Sequence, residues 1–435
     1  MADPICAPAT PLFPAAVTVV RVSGTGLRET LGPLLRLPPP QRASVRTLCW
    51  DGYQERALVL HFPAPGSYTG EDVVEFHLHG NPLLVRRFLE HLGRLGIRLA
   101  EPGEFTRRAL FHGKQGLLEV EALRDLMAAA TDTQLRQAMA RAGAQPAWIQ
   151  QARTALAAWV ARAEAAVDYG EDEAIGLDFH ALWAALVDLQ GTFHVEHDRS
   201  GAARWLRDGI RVALAGRPNA GKSTLFNALA GEDRAIVTEH PGTTRDVLEV
   251  RTEFAGLPLL LFDTAGLRES GDPIERLGVD RVAAVLEQAD LILHLLPATD
   301  PGPSPEVLER LRAFQDKVLV VRTFADRAGL ASPEEVRTAA TAGDLGALAR
   351  AMRDRFLGPF GPDACLGAMA TARQRELLGE LTVQTELLLA LGEDAPVEVL
   401  ASGLQGMWGL LARLTGEDRA ESTLDLVFGG FCLGK

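Results

Sequence analysis

The chain has 435 residues, 47% of them hydrophobic, and a formal net charge of −13. That length exceeds one ordinary core and predicts two or three domains, while the acidic balance excludes a protein that grips nucleic acid mainly through phosphates over much of its surface. RNA, if bound, is expected at a local patch or through a partner.

Cys6, Cys49, Cys365 and Cys432 lie far apart with no CxxC, which speaks against a zinc site and a disulfide framework. No apolar run approaches bilayer length. The opening "MADPICAPATPLFPAAV" has no basic start and is broken by proline, so it does not read as a secretory signal. The expected location is the cytoplasm, with no membrane partner.

In chain order, "VTVVRVSG", "ALVLHFP" and "DVVEFHLHG" read as strands, and "NPLLVRRFLEHLGRLG" as a helix opened by Asn81-Pro82. From about Leu117 the texture turns alanine-rich and helical. There Ile149, Ala152, Leu156, Val160, Ala163 and Val167 recur at steps of three and four, predicting one buried helix face. From Ile210 the runs "IRVALAG", "PLLLFDTAG", "DLILHLLPA" and "KVLVVRTF" read as buried parallel strands of an α/β sheet. Helical texture returns after about Cys365. The expected architecture is a multidomain α/β plus α chain: an N-terminal α+β domain at 1–115, a helical domain in two halves at 116–207 and 363–435, and an inserted Ras-like phosphate-loop domain at 208–362.

Gly216 to Ser223, "GRPNAGKS", fits GxxxxGK[ST] between a strand and a helix, the context that lets backbone N–H groups cradle phosphate. Lys222 reaches the terminal phosphates and Ser223 ligates Mg²⁺. Asp263 in "DTAG" stands at the Mg²⁺ shell, and the Gly266 N–H at a γ-phosphate. Thr244 in "TEHPGTTRD" is a second Mg²⁺ ligand in a loop ordered by triphosphate. Asp326 offers a carboxylate to the two N–H donors of guanine. The usual NKxD is here "TFAD": only Asp326 keeps its type, and Phe324 stands where the lysine stem normally lies. "TAAT", from Thr338, is expected to supply the last backbone contact to the base.

A leucine, Leu267, follows "DTAG" and cannot orient water, so Glu269, Asp272 or Glu275 is expected to take that role. Asn219 offers an amide oxygen to a monovalent cation beside the phosphates, whose charge can replace an arginine finger. In "VVEFHLHG" the alternation puts Glu75, His77 and His79 on one strand face. That pattern fits a metal site, and more commonly a solvated polar face. By default Arg21 and Lys114 read as surface charge.

Taken together, "SYTGEDVVEFHLHG", "EPGEFTRRAL", "GRPNAGKSTLFNALAG", "PGTTRDVLE", "DTAGLRESGDPIERLG" and the terminal "CLGK" resemble the MnmE/TrmE family of tRNA-modification GTPases over nearly the whole chain. The resemblance implies a homodimer joined through folate-binding N-terminal domains, and a K⁺-dependent GTPase whose G domains meet across the dimer. It implies a flavoprotein partner, MnmG/GidA, carrying FAD and using NADH. With it the complex would add an aminomethyl or carboxymethylaminomethyl group to carbon 5 of the tRNA wobble uridine, using 5-formyl- or methylene-tetrahydrofolate, with tRNA reached through the partner.

Carried over by motif, Arg21, Glu75, Lys114 and Lys435 would contact folate. GTP would be held by Asn219, Ala220, Gly221, Lys222, Ser223, Thr224, Thr238, Glu239, His240, Pro241, Gly242, Thr243, Thr244, Asp263, Thr264, Ala265, Gly266, Thr323, Asp326, Thr338 and Ala339. Ser223 and Thr244 would bind Mg²⁺, and Asn219, Thr238, His240 and Thr243 would bind K⁺. Glu275 would position water. The tail "CLGK" follows an apolar, acidic stretch and ends in Lys, unlike a prenylation signal. It is expected to fold back toward the folate site and present Cys432 there as a catalytic thiol. The chain departs from the family in "ATPLFPAAV", which has Leu12 and Phe13 in place of a glycine-rich stretch. The rival readings are an RNA- or ribosome-assembly GTPase, a folate-dependent transferase with a vestigial G domain, and a nucleotide-gated scaffold.

Overall fold

A computed structural model of the chain describes residues 3–143, 145–168, 177–231, 249–262, 284–300, 312–326, 336–392, 395–418, 427–428 and 434. The chain forms two compact units, Met1–Arg124 with Ala412–Lys435, and Asp125–Leu411.

The first unit carries β1 (Ile5–Pro8), β2 (Ala15–Gly24), α1 (Leu27–Thr30), β3 (Ser44–Trp50), β4 (Tyr53–Phe62), β5 (Asp72–Gly80), α2 (Pro82–Arg94), β6 (Arg98–Leu99), α3 (Glu104–Phe111) and the start of α4 (Leu117–Ala128). Its sheet runs β3-β4-β5-β2-β1-β6, with only the β1–β6 pair parallel. The alternation along β5 sends Val74, Phe76 and Leu78 into the core, and Phe76 meets Phe88 of α2 edge-on at 5.1 Å. Asn81 opens α2 as expected: its side chain accepts from the Leu83 and Leu84 N–H groups, and Pro82 starts the helix.

The second unit carries α5 (Asp132–Gly143), α6 (Ala147–Asp168), α7 (Phe179–Asp208), β7 (Ile210–Gly216), α8 (Lys222–Ala230), β8 (Glu249–Phe254), β9 (Leu257–Phe262), β10 (Leu291–Pro297), β11 (Val318–Thr323), β12 (Val336–Arg337), α9 (Gly346–Leu357), α10 (Pro362–Cys365), α11 (Ala372–Leu391) and most of α12 (Val397–Thr415). Its sheet runs β12-β11-β10-β7-β9-β8. The four apolar runs read from the sequence are its parallel centre, but β8 joins the edge antiparallel to β9, so the sheet is mixed. A two-residue turn at Ala255 and Gly256, both at positive φ, allows that hairpin.

One face differs from expectation. The buried stripe of α6 runs Ile149, Ala152, Leu156, Trp159, Ala163 and Ala166, whereas Val167 is 42% exposed. Steps of 3-4-3-4-3 keep side chains in line, and the larger Trp159 takes the place assigned to Val160.

Buried charge is compensated in both units. Arg108, 1% exposed, donates to both Glu71 oxygens at 3.2 and 3.0 Å, to Glu104 at 2.9 Å and to the Asp3 carbonyl at 3.0 Å. Glu71 also accepts from Ser23 at 2.8 Å. In the second unit Asp125 accepts from Arg141 at 2.5 Å and Arg207 at 2.8 Å. Burial alone would raise the Asp125 carboxyl, and the two arginines pull it below its ordinary value instead. Removing one partner from such a cluster leaves an unanswered charge, which costs about 3–5 kcal/mol.

Glu104 shows the same balance. Burial pushes its pKa up, but hydrogen bonds from Arg98, from the Glu101 N–H and from Arg108 hold it at about 2 against an ordinary 4.5. A carboxylate depressed in the fold stabilises it above the unfolded pKa and stops doing so as pH falls toward the folded one. The first unit is therefore expected to lose stability between about pH 4.5 and 2 through this group, and Glu104→Gln to flatten that part of the profile. Denaturant melts across this range check it; a variant whose acid slope matches the parent refutes the assignment.

Candidate functional site

Two groups of predicted residues are gathered, one in each unit. In the second, β7 ends in Gly216 and α8 begins at Lys222, with the turn "RPNAG" between them. The turn needs backbone that ordinary residues resist. Gly216 has φ +147, and a Cβ there would stand 2.7 Å from the Leu295 carbonyl oxygen of β10. Gly221 has φ +89 and lies against Thr323 and the Phe324 ring. Asn219 adopts φ +62, a left-handed value asparagine tolerates. Because no side chain among the described residues caps α8, its first N–H groups face the turn as anion donors. Lys222 Nζ donates to the Gly216 carbonyl at 3.0 Å and the Arg217 carbonyl at 2.8 Å, folding back over the loop. Ser223, Thr224 and Asn219 stand at the surface of the turn, and Ala220 is buried beneath them.

Beside this loop, β11 ends in Thr323. Its hydroxyl donates to the Ala220 carbonyl at 2.8 Å and lies 3.3 Å from that of Leu296. No local pattern in the residues signals this tie between β11 and the turn. A small cleft opens here, lined by Gly221, Thr224, Leu225, Thr323, Phe324, Thr338, Ala339, Ala340 and Thr341. Thr338 and Ala339 lie where expected, yet their N–H groups are engaged, with Arg322 at 2.8 Å and Asp344 at 3.0 Å. Ala340 and Thr341, the second half of "TAAT", line the same cleft with their neighbours. Asp326 is exposed just beyond the cleft. Under the loop, His294 is buried, and burial, then Arg217, hold its pKa below the ordinary value.

In the first unit Arg21 and Glu75 face each other across β2 and β5. Arg21 Nε and Nη2 lie 3.0 and 2.9 Å from Glu75 Oε1, and His77 Nε2 lies 3.6 Å from Oε2. Arg21 is no isolated surface charge. Its guanidinium sits 5.2 Å from the Tyr68 ring centre and 5.8 Å from that of Phe105, a pair of aromatic walls that the sequence did not single out. His79, on the same strand face, turns away to Glu55 at 2.6 Å. Among the described residues no group of three His, Cys, Asp or Glu side chains is placed to hold a metal ion. Lys114 Nζ donates to the Pro65 carbonyl at 2.9 Å, and its stem lies beside Gly70. Tyr68 belongs to that same loop.

Of the tail, only Gly434 and the Val427–Phe428 pair are described. Gly434 is buried with φ +95, and a Cβ there would collide with the Pro8 carbonyl oxygen. Pro8 is one residue beyond Ala7, the β1 partner of Arg21. Glu275, Cys432, Lys435, Thr238, Glu239, His240, Pro241, Gly242, Thr243, Thr244, Asp263, Thr264, Ala265 and Gly266 lie outside the described residues.

The family model described as "GTP-binding protein TrmE N-terminus" matches residues 4–114, and "50S ribosome-binding GTPase" matches residues 211–323. The "tRNA modification GTPase MnmE" of Phenylobacterium zucineum is 42% identical, covering all of both chains. That of Methylobacterium radiotolerans is 40% identical over 100% of this chain and 99% of its own, and that of a Thermus thermophilus strain is 38% identical with the same coverage.

The chain belongs to the MnmE family of tRNA modification GTPases.

The first matched family segment contains Arg21, Glu75 and Lys114, and the second contains the whole phosphate loop. Among the described residues, no helix is long and apolar enough to cross a membrane. Gly434→Ala is expected to lift the tail from Pro8, seen as faster amide exchange at residues 5–10; protection equal to the parent's would mean the tail holds by other contacts.

Proposed function

We propose that this member of the MnmE family hydrolyses GTP in tRNA modification through the loop between β7 and α8, and couples that hydrolysis to one-carbon chemistry in its first unit. The observation that carries the nucleotide half is the loop itself: uncapped N–H groups at the start of α8, with the Lys222 ammonium folded over them. A triphosphate entering this turn meets those donors, and Lys222 exchanges carbonyl partners for phosphate oxygens. The Ser223 hydroxyl, on the first turn of α8, suits Mg²⁺, which neutralises phosphate charge when bound. Asn219, exposed at the lip of the turn, has an amide oxygen suited to K⁺. Asp326 accepts the guanine edge. Thr238, His240, Thr243 and Thr244 complete the metal shells in this reading, the remaining predicted residues of 239–242 and 263–266 surround the phosphates, and Glu275 orients water.

The first unit offers a carboxylate and a guanidinium flanked by two rings. Glu75 accepts well from the N–H donors of a pterin, and Lys114 suits an anionic part of the same ligand. Its pairing with Arg21 keeps the Glu75 carboxylate oriented for that role. We read this as a tetrahydrofolate site, with Lys435 and Cys432 brought to it by the tail that Gly434 packs on β1. The domain plan that goes with it is a folate-binding and dimerising domain at 1–115, helical halves at 116–207 and 363–435, and a G domain at 208–362. The partners are a second copy, a flavoprotein of the MnmG/GidA type carrying FAD, and tRNA through that partner, in the cytoplasm.

The experiment is GTP hydrolysis by the full chain in K⁺ against Na⁺. Faster turnover in K⁺ is expected, with a loss of about 100-fold or more in Lys222→Ala, on the scale of losing one charge-stabilising group. Equal rates in both salts would remove the K⁺ reading. In parallel, 5-formyltetrahydrofolate should bind the parent and bind Glu75→Gln at least about tenfold more weakly, the loss of one charged hydrogen bond. A chain that hydrolyses GTP but binds no folate would favour the ribosome-assembly reading.

A further inference from the structure

We propose that Phe324 makes the base pocket a stacking site: its ring holds the purine face while Asp326 alone among the side chains reads the guanine edge. The inference rests on the nucleotide reading above. Phe324 has φ +58, in the left-handed region that a bulky residue rarely enters. Such backbone persists where the surroundings over-determine it, and it concentrates at ligand sites. Here the surroundings are on both sides. Thr323, just before it, is locked to the Ala220 carbonyl, and Ala325, just after it, donates to the Thr338 carbonyl at 3.1 Å. Between these fixed points the chain turns the ring toward the phosphate loop. A Cβ on Gly221 would stand 3.4 Å from Phe324 Cζ, so ring and loop are in packing contact.

The rest of the pocket cannot substitute for the ring. Its lining is glycine, alanine, leucine and threonine, with no charged side chain. The Thr323 hydroxyl has given its proton to a carbonyl, and the Thr338 and Ala339 N–H groups are engaged within the fold. A flat, half-buried aromatic face is therefore the largest feature a base can meet, and base–aromatic stacking tolerates every base. Discrimination must then come from Asp326, whose carboxylate accepts two N–H donors from guanine, one from hypoxanthine and none from the corresponding edge of adenine. Affinity and selectivity thus sit on two residues of one turn. The ring's seat on Gly221 also lets a bound base brace the phosphate loop.

The test is equilibrium titration of GDP, IDP and ADP into the full chain, comparing the parent with Phe324→Ala, Phe324→Leu, Phe324→Tyr and Asp326→Asn. Thermal melts report whether each is folded. Phe324→Ala and Phe324→Leu are expected to weaken GDP and IDP by one common factor, about 5- to 100-fold on the scale of stacking, with the ratio of GDP to IDP unchanged. Phe324→Tyr keeps the ring and should bind as the parent does. Asp326→Asn should collapse the preference for GDP over ADP. A folded Phe324→Leu that binds GDP as tightly as the parent overturns the proposal, because an aliphatic wall would then suffice. So does a Phe324→Ala in which GDP weakens and IDP does not. A parent that binds no guanine nucleotide is a different result: it overturns the GTPase reading itself.

Discussion

The turn between β7 and α8 exists because two of its residues lack side chains. Gly216 passes so close to the Leu295 carbonyl that no Cβ fits, and Gly221 lies under Thr323 and Phe324. Three neighbouring parallel strands meet at this point: β7 supplies the loop, β10 the carbonyl that presses on it, and β11 the threonine that ties it down. The buried apolar runs of those strands fix their register, the register fixes the turn, and the turn gathers N–H groups where an anion can bind. The anion-receiving turn is in this sense a by-product of how closely the central strands approach one another.

The first unit solves a different problem, that of holding charge away from water. Arg108, Glu71 and Glu104 answer one another in the interior, with Ser23 and the Asp3 carbonyl taking the remaining bonds. Apolar side chains of similar size could be as stable, so the cluster is better understood through its neighbours. Glu71 closes the loop that carries Tyr68, and α3 carries both Arg108 and Phe105. The two rings flanking Arg21 are thus fastened through the same buried guanidinium.

Much of this was legible in the sequence where a signal is local. The limits of β5 and the start of α2 follow from strict alternation and an Asn-Pro opening. The phosphate loop follows from a spaced glycine–lysine motif. What escaped was settled by partners distant in the chain. "EFTRRAL" contains two adjacent arginines, and only burial distinguishes Arg108 from the half-buried Arg107. Glu75, His77 and His79 share a strand face, but their cross-strand partners separate them, Arg21 for one and Glu55 for another. On α6 the stripe runs one position off the sequence expectation at two places: Trp159 takes the register expected of Val160, and Ala166 that expected of Val167. β8, short and mixed in character, gives no pattern that marks it as an antiparallel edge.

The first unit closes on itself across the whole sequence. Leu110, Leu117 and Val120 share a small core with Val427 and Phe428, and Gly416 presses on Leu117 without room for a side chain. A nascent chain must therefore carry the apolar face of α3 and α4 uncovered through synthesis of the entire second unit before Val427 and Phe428 can pack on it. Contacts that distant in sequence form slowly, and the apolar helix face left waiting in the meantime is what a chaperone would meet.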